Sequence, residues 1–213
     1  MTRRPVQSNA YPLTFTAASL RPDLARIVAE TYLQTRDWAQ AKRQILQGNL
    51  LQARSPLSAK RMEIELRHRL QTLTVPQLEV LAHSHAEGRR AMAWLAAIKH
   101  SPFLREFATG VLRAKLAQID PVLRPSDYET FFIGQSLAHP KLNDLTASSK
   151  YKIQWAAVKM LREAGILPVD DSDFTISRPL LPPEALDAIR DDDPAWLAGF
   201  LVPEDEITLE RTP

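Results

Sequence analysis

The sequence predicts an all-α fold: a mainly helical globular protein with two helix-turn-helix elements, the second winged-helix-like with one short β-hairpin. Two observations support this fold class. Glycine is scarce, with 6 residues among 213, whereas proline is plentiful, with 16. Prolines at positions 22, 56, 76, 102, 125 and 140 each open a proline-free stretch of good helix formers. Proline suits a first helical turn because its missing N–H would have no partner there.

The helix starts and the spacing of apolar residues predict the elements in order. Helices are expected at residues 22–35, 38–47, 57–73, 76–86, 88–99, 102–118, 126–137, 148–164, 183–190 and 194–201. Ser126 and Glu129 have the spacing of a capping box, and Gly165 is placed to end a helix. Residues 166–169 and 174–176 are predicted to form the two strands of the hairpin.

The net charge of +2 conceals a strong asymmetry along the chain. Residues 1–162 carry 24 Lys and Arg against 12 Asp and Glu, whereas residues 163–213 carry 3 against 13. This pattern predicts a basic body that meets a polyanion and an acidic end, with chance clustering on solvated helix faces as the alternative. We expect two regions: residues 1–120 with the first helix-turn-helix, and residues 121–213 with the winged-helix-like element, an acidic tail and a loose end from residue 203.

Composition disfavours other classes of protein. Cysteine is absent, which excludes disulfides and thiolate chemistry and favours a reducing compartment. The strongest apolar run, residues 91–98, is far shorter than the roughly 20 residues of a membrane span, and no secretion signal is recognised. No phosphate-binding glycine loop, nucleophile elbow or metal-ligand histidine spacing is present. We therefore expect a cytoplasmic protein without enzymatic activity, cofactor, metal or membrane contact.

The segment from residue 126 to residue 176 has the order of a winged helix-turn-helix: helix, short helical piece, longer helix and hairpin. One side of the longer helix is apolar and is predicted to face the core, through Ile153, Ala157, Met160, Leu161 and Ala164. The helix start and the opposite side carry hydroxyl and basic groups that suit phosphate, namely Ser148, Ser149, Lys150, Lys152, Lys159 and Arg162. An ordinary amphipathic helix with a solvated lysine face is the alternative interpretation.

The predicted hairpin carries three aspartates at its tip, Asp170, Asp171 and Asp173. Phosphates would repel these carboxylates. We therefore expect the tip to point away from DNA, or the hairpin to serve as packing.

A similar helix start occurs earlier in the chain. Predicted helix 38–47, with Lys42 and Arg43 on its outer side, is followed by a turn and by predicted helix 57–73. The start of that helix concentrates hydroxyl and basic side chains, Arg54, Ser58, Lys60 and Arg61. Further along, Glu63 with Arg67 and Glu65 with Arg69 are spaced for i,i+4 ion pairs. Free positive charge is thus predicted at the helix start.

These residues carry a family resemblance over about Tyr11 to Ala198. Its N-terminal part comprises Thr14–Leu20 (TFTAASL), Asp37-Trp38, Asn49–Leu51 (NLL), Arg54–Arg61 (RSPLSAKR) and Glu65–Leu70 (ELRHRL). Its C-terminal part comprises His139–Leu142 (HPKL), Leu145–Ser149 (LTASS) and Met160–Leu167 (MLREAGIL). In these segments the chain resembles the BrxA family of BREX (bacteriophage exclusion) phage-defence systems.

The resemblance implies a compact helical protein that binds double-stranded DNA through two helix-turn-helix elements and has no catalytic activity. It also implies a supporting role in a system that methylates host DNA and blocks phage replication. The binding elements would fall on Arg54–Arg61 and Ser148–Lys159. Other BREX subunits are expected partners, and a monomer is favoured.

We expect binding mainly to the phosphate backbone, with weak sequence specificity, because few side chains suited to base reading stand at these helix starts. One alternative is a protein-interaction adaptor that uses the acidic segment Asp187–Asp193 with Trp196 and Phe200. Another is a transcriptional regulator or an RNA-binding helical protein.

Overall fold

The computed structural model describes Tyr11, residues 13–170 and residues 172–210, and it confirms a mainly helical protein. Eleven α-helices lie in these residues: α1 Pro22–Thr35, α2 Trp38–Gln47, α3 Pro56–Leu70, α4 Val75–His83, α5 Ala86–His100, α6 Pro102–Phe107, α7 Arg113–Ala117, α8 Pro125–Ala138, α9 Ala147–Glu163, α10 Pro183–Arg190 and α11 Glu204–Glu210. Short 3-10 helices cover Thr14–Ala17, Pro140–Leu142 and Pro194–Phe200. None of the described helices combines the length and the apolarity that crossing a bilayer requires.

Helix α5 is the centre of the hydrophobic core. Its apolar run, residues 91–98, is buried throughout, because α1, α3, α4, α6 and α10 pack around the helix. The indole Nε1 of Trp94 donates a hydrogen bond to the carbonyl oxygen of Gly199 at 2.8 Å. Residues near the C-terminus therefore return to the N-terminal helices, and the division at residue 120 stays a prediction.

Helices α6 and α7 are joined by a π-helical turn, Ala108–Leu112. The Arg113 backbone N–H donates to the carbonyl oxygen of Ala108, five residues earlier. Lys115, in the turn that follows, is buried, and its ammonium group lies 2.8 Å from Asp120 and 2.9 Å from Asp127. This contact holds the beginning of α8 against α7.

The start of α8 differs from the prediction. The helix begins at Pro125, so Ser126 lies inside the first turn instead of capping it. The Asp127 carboxylate takes the capping role by accepting the Arg124 backbone N–H at 2.7 Å. The predicted stop at Gly165 is confirmed, since this residue follows α9 with a left-handed backbone, φ +78°, which costs glycine little.

The predicted hairpin over residues 166–176 is wrong. No β-strand occurs in the residues that the structure describes; instead Thr175 forms an isolated antiparallel bridge with Val122. The Leu123 N–H donates to the carbonyl oxygen of Phe174 at 3.0 Å, and the Ile176 N–H donates to that of Pro121 at 2.6 Å. The expected second strand therefore pairs with the segment before α8.

The loose end expected from residue 203 is also wrong for the residues that the structure describes. Helix α11 occupies most of this segment, and Ile207 is buried in the core. The Arg113 guanidinium lies 2.9 Å from the Glu204 carboxylate, and Arg178 pairs with Glu206. The buried side chain of Ile207 and two ion pairs thus fix the segment that was predicted to be loose.

Candidate nucleic-acid interface

The start of α3 presents the predicted group of cations to solvent. Arg54, Lys60 and Arg61 are exposed, and none of them forms an ion pair within the described chain. Ser55 caps the helix by accepting the Ser58 N–H at 3.2 Å, and the Ser58 side chain is half-buried. The capped first turn carries three uncompensated charges around backbone N–H groups, an arrangement that attracts anions.

The carboxylates of α3 are occupied by the two predicted ion pairs, both of which are confirmed. Arg67 lies 2.6 Å from the fully buried Glu63, and Arg69 lies 2.8 Å from the buried Glu65. These acids are held on the inner side of the helix, whereas the cations at its start point outward. The order of residues along α3 therefore places its carboxylates on the inner side and the cations of its first turn on the outer side.

Helix α2 packs against α3 and adds two cations. Ala41 and Ile45 are buried, as predicted, and Trp38 stacks on Tyr32 with ring centroids 3.9 Å apart. Lys42 is half-buried and Arg43 is exposed, and neither forms an ion pair in the described residues. The α2–turn–α3 unit thus has an apolar inner side and a basic outer side.

The start of α9 has a similar cap. Thr146 accepts the Ser149 N–H at 3.2 Å, and the two hydroxyls lie 2.9 Å apart, so the Ser149 hydroxyl is already engaged. Ser148 is exposed. Lys150 is half-buried, with its ammonium group 5.5 Å from the centroid of the Phe132 ring. The hydroxyl freely available to a ligand at this helix start is that of Ser148.

Lys152 and Lys159 occupy the predicted outer side of α9. Both are exposed, and neither has an ionic partner among the described residues. The predicted inner side is confirmed, since all five apolar residues assigned to it are buried: Ile153, Ala157, Met160, Leu161 and Ala164. Charge and burial therefore separate along α9 as the sequence predicts.

Arg162 is the exception, because its predicted place on the outer side is wrong. The residue is buried, and its guanidinium donates hydrogen bonds to the carbonyl oxygens of Pro168, Asp170 and Asp173. Its carbon Cζ also lies 5.0 Å from the centroid of the Phe174 ring. The loop after α9 folds back over this side chain and withdraws it from solvent.

The acidic loop that Arg162 holds borders the C-terminal half of α9. Hydrogen bonds from the Ser172 backbone and hydroxyl lower the pKa of Asp170, and hydrogen bonds from Thr175 lower that of Asp173. Both carboxylates are therefore charged at neutral pH. The third aspartate, Asp171, lies outside the described residues. The surface of α9 is therefore positive along its outer side, where the lysines lie, and negative near its carboxyl end, where the acidic loop lies.

Two exposed aromatic side chains on α9 were missed by the sequence analysis. Tyr151 is 61% exposed and Trp155 is 42% exposed, and their ring centroids lie 5.9 Å apart in an edge-to-face arrangement. Trp155 follows Lys152 by three residues and precedes Lys159 by four, so the three side chains are neighbours on the helix surface. The sequence could have revealed them, because both residues fall on the same side of the helix as the lysines.

The two basic helices are connected at their carboxyl ends. Arg69 near the end of α3 donates to the carbonyl oxygens of Ser19 at 2.9 Å and Ala18 at 2.6 Å. Glu163 at the end of α9 accepts the Ser19 hydroxyl at 2.8 Å and the Leu20 N–H at 2.6 Å. The segment around residues 15–20 therefore joins both helices.

The two groups of cations are not in contact with each other. Each helix start lies about 20–25 Å from the shared segment, given the rise of 1.5 Å per residue and helix lengths of 15 and 17 residues. No hydrogen bond, ion pair or ring contact joins the groups in the part of the chain that the structure describes. We refer to these two groups of cations as the two basic patches of the framework.

The acidic segment of the adaptor alternative is largely engaged within the fold. Asp192 lies 2.6 Å from the Lys99 ammonium group, and Asp193 accepts the Ala195 N–H at 2.8 Å. Phe200 is buried, and the Trp196 ring lies 5.4 Å from the same ammonium group. These contacts stabilise the packing of this segment on α5.

The geometry defines a class of protein: a helical framework that displays two basic helix starts. Comparison with known sequences gives the family. A sequence model of the BrxA family matches residues 9–193, and the chain belongs to this family of BREX phage-defence proteins. The recognition made from the motifs is confirmed.

Individual relatives agree with this assignment. BREX protein BrxA of Escherichia coli O9:H4 (strain HS) is 32% identical over 141 residues, which cover 66% of each chain. BREX protein BrxA of Bacillus cereus (strain H3081.97) is 22% identical over 151 residues, covering 71% of this chain and 76% of the relative. A crystal structure of an uncharacterized protein from Magnetospirillum magneticum matches with a TM-score of 0.79 at 21% identity, covering 90% of this chain and 97% of that one. That likeness shows a shared fold.

Proposed function

We propose that this protein is a non-enzymatic double-stranded-DNA-binding component of its BREX system. The two helix-turn-helix elements, α2–turn–α3 and α8–turn–α9, would contact the phosphate backbone with weak sequence specificity. The observation that carries the proposal is the set of exposed cations without ionic partners at the two helix faces. Phosphate contacts of this kind position a protein on DNA and do not read its sequence.

Electrostatics supports duplex DNA as the ligand. Lys152 and Lys159 lie seven residues apart on one side of α9, so both can contact one phosphate backbone, and Lys60 and Arg61 add two exposed charges at the start of α3. Counterion release makes such binding steeply dependent on salt, with a slope of about −0.9 for each phosphate neutralised. A surface whose cations were all paired with carboxylates would lack this property.

The test is a titration of the full-length protein against a labelled 25-base-pair duplex at several salt concentrations. The variant Lys152→Glu/Lys159→Glu should lose about tenfold or more in affinity at low salt, and the slope of log K against log salt should become shallower by about 2. Lys60→Glu/Arg61→Glu tests the first patch in the same way. Arg36→Glu/Arg90→Glu is the control for net charge, because it changes the charge by the same amount at ion-paired surface positions outside α3 and α9.

Unchanged affinity in both patch variants, with the control equal to them, would overturn the proposal. Unlabelled RNA that competes as well as duplex DNA would favour the RNA-binding alternative. Co-purification with another BREX subunit that survives nuclease and high salt, together with no DNA binding, would favour the adaptor alternative.

A further inference from the structure

A small apolar pocket opens beside the lysine row of α9. Its volume is about 110 Å³, and its walls include Phe107, Tyr128, Trp155, Val158 and Phe174. Helices α6, α8 and α9 and the segment that bridges to Val122 thus enclose it on different sides. Trp155 stands between this pocket and the exposed lysines, since it is a surface neighbour of both Lys152 and Lys159.

The pocket contains polar groups without partners. The Tyr128 hydroxyl is buried and makes no hydrogen bond within the described chain, although the residue is only 5% exposed. Burial raises the pKa of Tyr128, so the hydroxyl keeps its proton and remains a donor. Gln154, which also lines the pocket, makes no side-chain hydrogen bond among the described residues. Buried polar groups are normally satisfied, and the Tyr128 hydroxyl is closed to water in the free protein, so a ligand that opens the pocket wall far enough to reach this donor gains a hydrogen bond.

The size and chemistry of the pocket select a planar ring with polar edges. The pocket, at about 110 Å³, is smaller than the enclosed cavity of about 150 Å³ that binds benzene, so a single six-membered ring fills it with part of the ring at the open mouth, and a fused ring system would protrude further. Aromatic walls favour stacking on a flat ligand. The adjacent free lysines favour a ligand attached to phosphate. A pyrimidine nucleotide of DNA has all three properties: its base is a single ring, the base carries exocyclic acceptors, and the nucleotide is attached to phosphate.

From this geometry we infer that the pocket binds an unpaired pyrimidine base of DNA that is displaced from the helical stack. The inference rests on the proposed DNA binding by α9 and adds a preference to it. Lys152 and Lys159 hold the flanking phosphates, Trp155 stacks on the base at the mouth, and Tyr128 donates a hydrogen bond to an exocyclic oxygen. An unpaired base has already lost its pairing and stacking energy, which lowers the cost of entering a protein pocket.

Four labelled DNAs of equal length test the inference with the full-length protein. They are a matched duplex and duplexes with one extrahelical thymidine, one extrahelical adenosine or one extrahelical abasic residue. We expect the thymidine bulge to bind about tenfold more tightly than the other three, as measured by fluorescence anisotropy at one salt concentration. The abasic bulge controls for bending of the duplex, and the adenosine bulge controls for ring size.

Two pocket variants separate the role of the pocket from folding. Tyr128→Phe removes the hydroxyl without changing the shape of the pocket, and Val158→Phe fills it. Both should bind matched duplex as the unchanged protein does, while the thymidine preference falls about fivefold in the first and disappears in the second. Melting curves of both proteins establish that they are folded, and Tyr128→Phe alone suffices if Val158→Phe does not fold.

The outcomes distinguish this inference from the proposed function. Equal affinity for matched and thymidine-bulged duplex, with binding still lost in Lys152→Glu/Lys159→Glu, would overturn the pocket assignment and leave DNA binding in place. Equal binding of the abasic or the adenosine bulge would also overturn it. Absence of binding to all four DNAs would overturn both. Loss of a protein partner in Tyr128→Phe, without any change in DNA preference, would assign the pocket to a group of that partner that accepts a hydrogen bond, and it would overturn the inference.

Discussion

Arg69 connects the interior of α3 to the segment that also holds α9, and its removal should be costly. In the variant Arg69→Met an apolar chain replaces the guanidinium. The Glu65 carboxylate, which is 4% exposed, then loses its ionic partner, and the carbonyl oxygens of Ala18 and Ser19 lose their donor. Burial lowers the pKa of Arg69, which reflects how much of its hydration the folded state has replaced with these contacts.

The expected magnitude follows from the uncompensated charge. Breaking a buried ion pair by removing one partner costs about 3–5 kcal/mol. In a chain of this size each kcal/mol lowers Tm by about 2–4 °C, so Tm should fall by about 10 °C. The double variant Glu65→Leu/Arg69→Met should recover about half of the loss, because an apolar pair of similar size carries no unpaired charge, although the carbonyl oxygens stay without their donor.

Urea unfolding and calorimetry measure these differences. Arg90→Met is the control: its pair with Glu87, at 3.1 Å, is exposed, and such pairs contribute less than about 1 kcal/mol. A loss below about 1 kcal/mol for Arg69→Met, or a double variant less stable than the single one, would refute the reasoning.

Two further predictions concern the acidic groups. Hydrogen bonds from Arg124 and Lys115 hold the pKa of Asp120 well below its ordinary range; for Asp127, partial burial opposes the shift, but bonds from the same two residues lower the pKa. The stability that these pairs add is present above the unfolded-state pKa of about 3.9, and it is lost as pH falls through the lower pKa values of the folded state. Tm should therefore decline below about pH 4. The decline should be smaller in Lys115→Met, which lacks one of the partners. A Tm that is flat between pH 4 and pH 2 would contradict this. In the acidic loop, Asp170→Asn/Asp173→Asn should raise duplex affinity severalfold at low salt, and it should raise it little at about 0.3 M salt, where screening is stronger. The control Asp187→Asn/Asp191→Asn should have a smaller effect in the same titration. An equal effect in the control would show that only the net charge of the protein matters.

Features determined by neighbouring residues could be predicted from the sequence. Proline positions predict most helix starts because the cause lies within one turn. The ion pairs of α3 follow from i,i+4 spacing, and the outer positions of Lys152 and Lys159 follow from the apolar rhythm of α9. The motifs also sufficed to recognise the family.

Features determined by distant residues could not be predicted. Residues 174–176 do pair, but their partner is the segment at Val122, about fifty positions earlier in the chain. Arg162 follows the rhythm of the outer side of α9, yet carbonyl oxygens of a later loop cover it. The unpaired hydroxyl of Tyr128 depends on walls from three helices. These contacts follow from tertiary packing, which no local spacing reveals.

The π-helical turn at Ala108–Leu112 has a consequence for variation in length. A π-helical turn contains one more residue than an α-helical turn, so it accommodates an inserted residue locally. The residues from Arg113 onward therefore keep the orientation that they would have in a regular helix one residue shorter. Gly110 is exposed there, and a Cβ atom added to it would meet no other atom within 4 Å. The loss of one residue from this turn therefore leaves Lys115 in place at the beginning of α8.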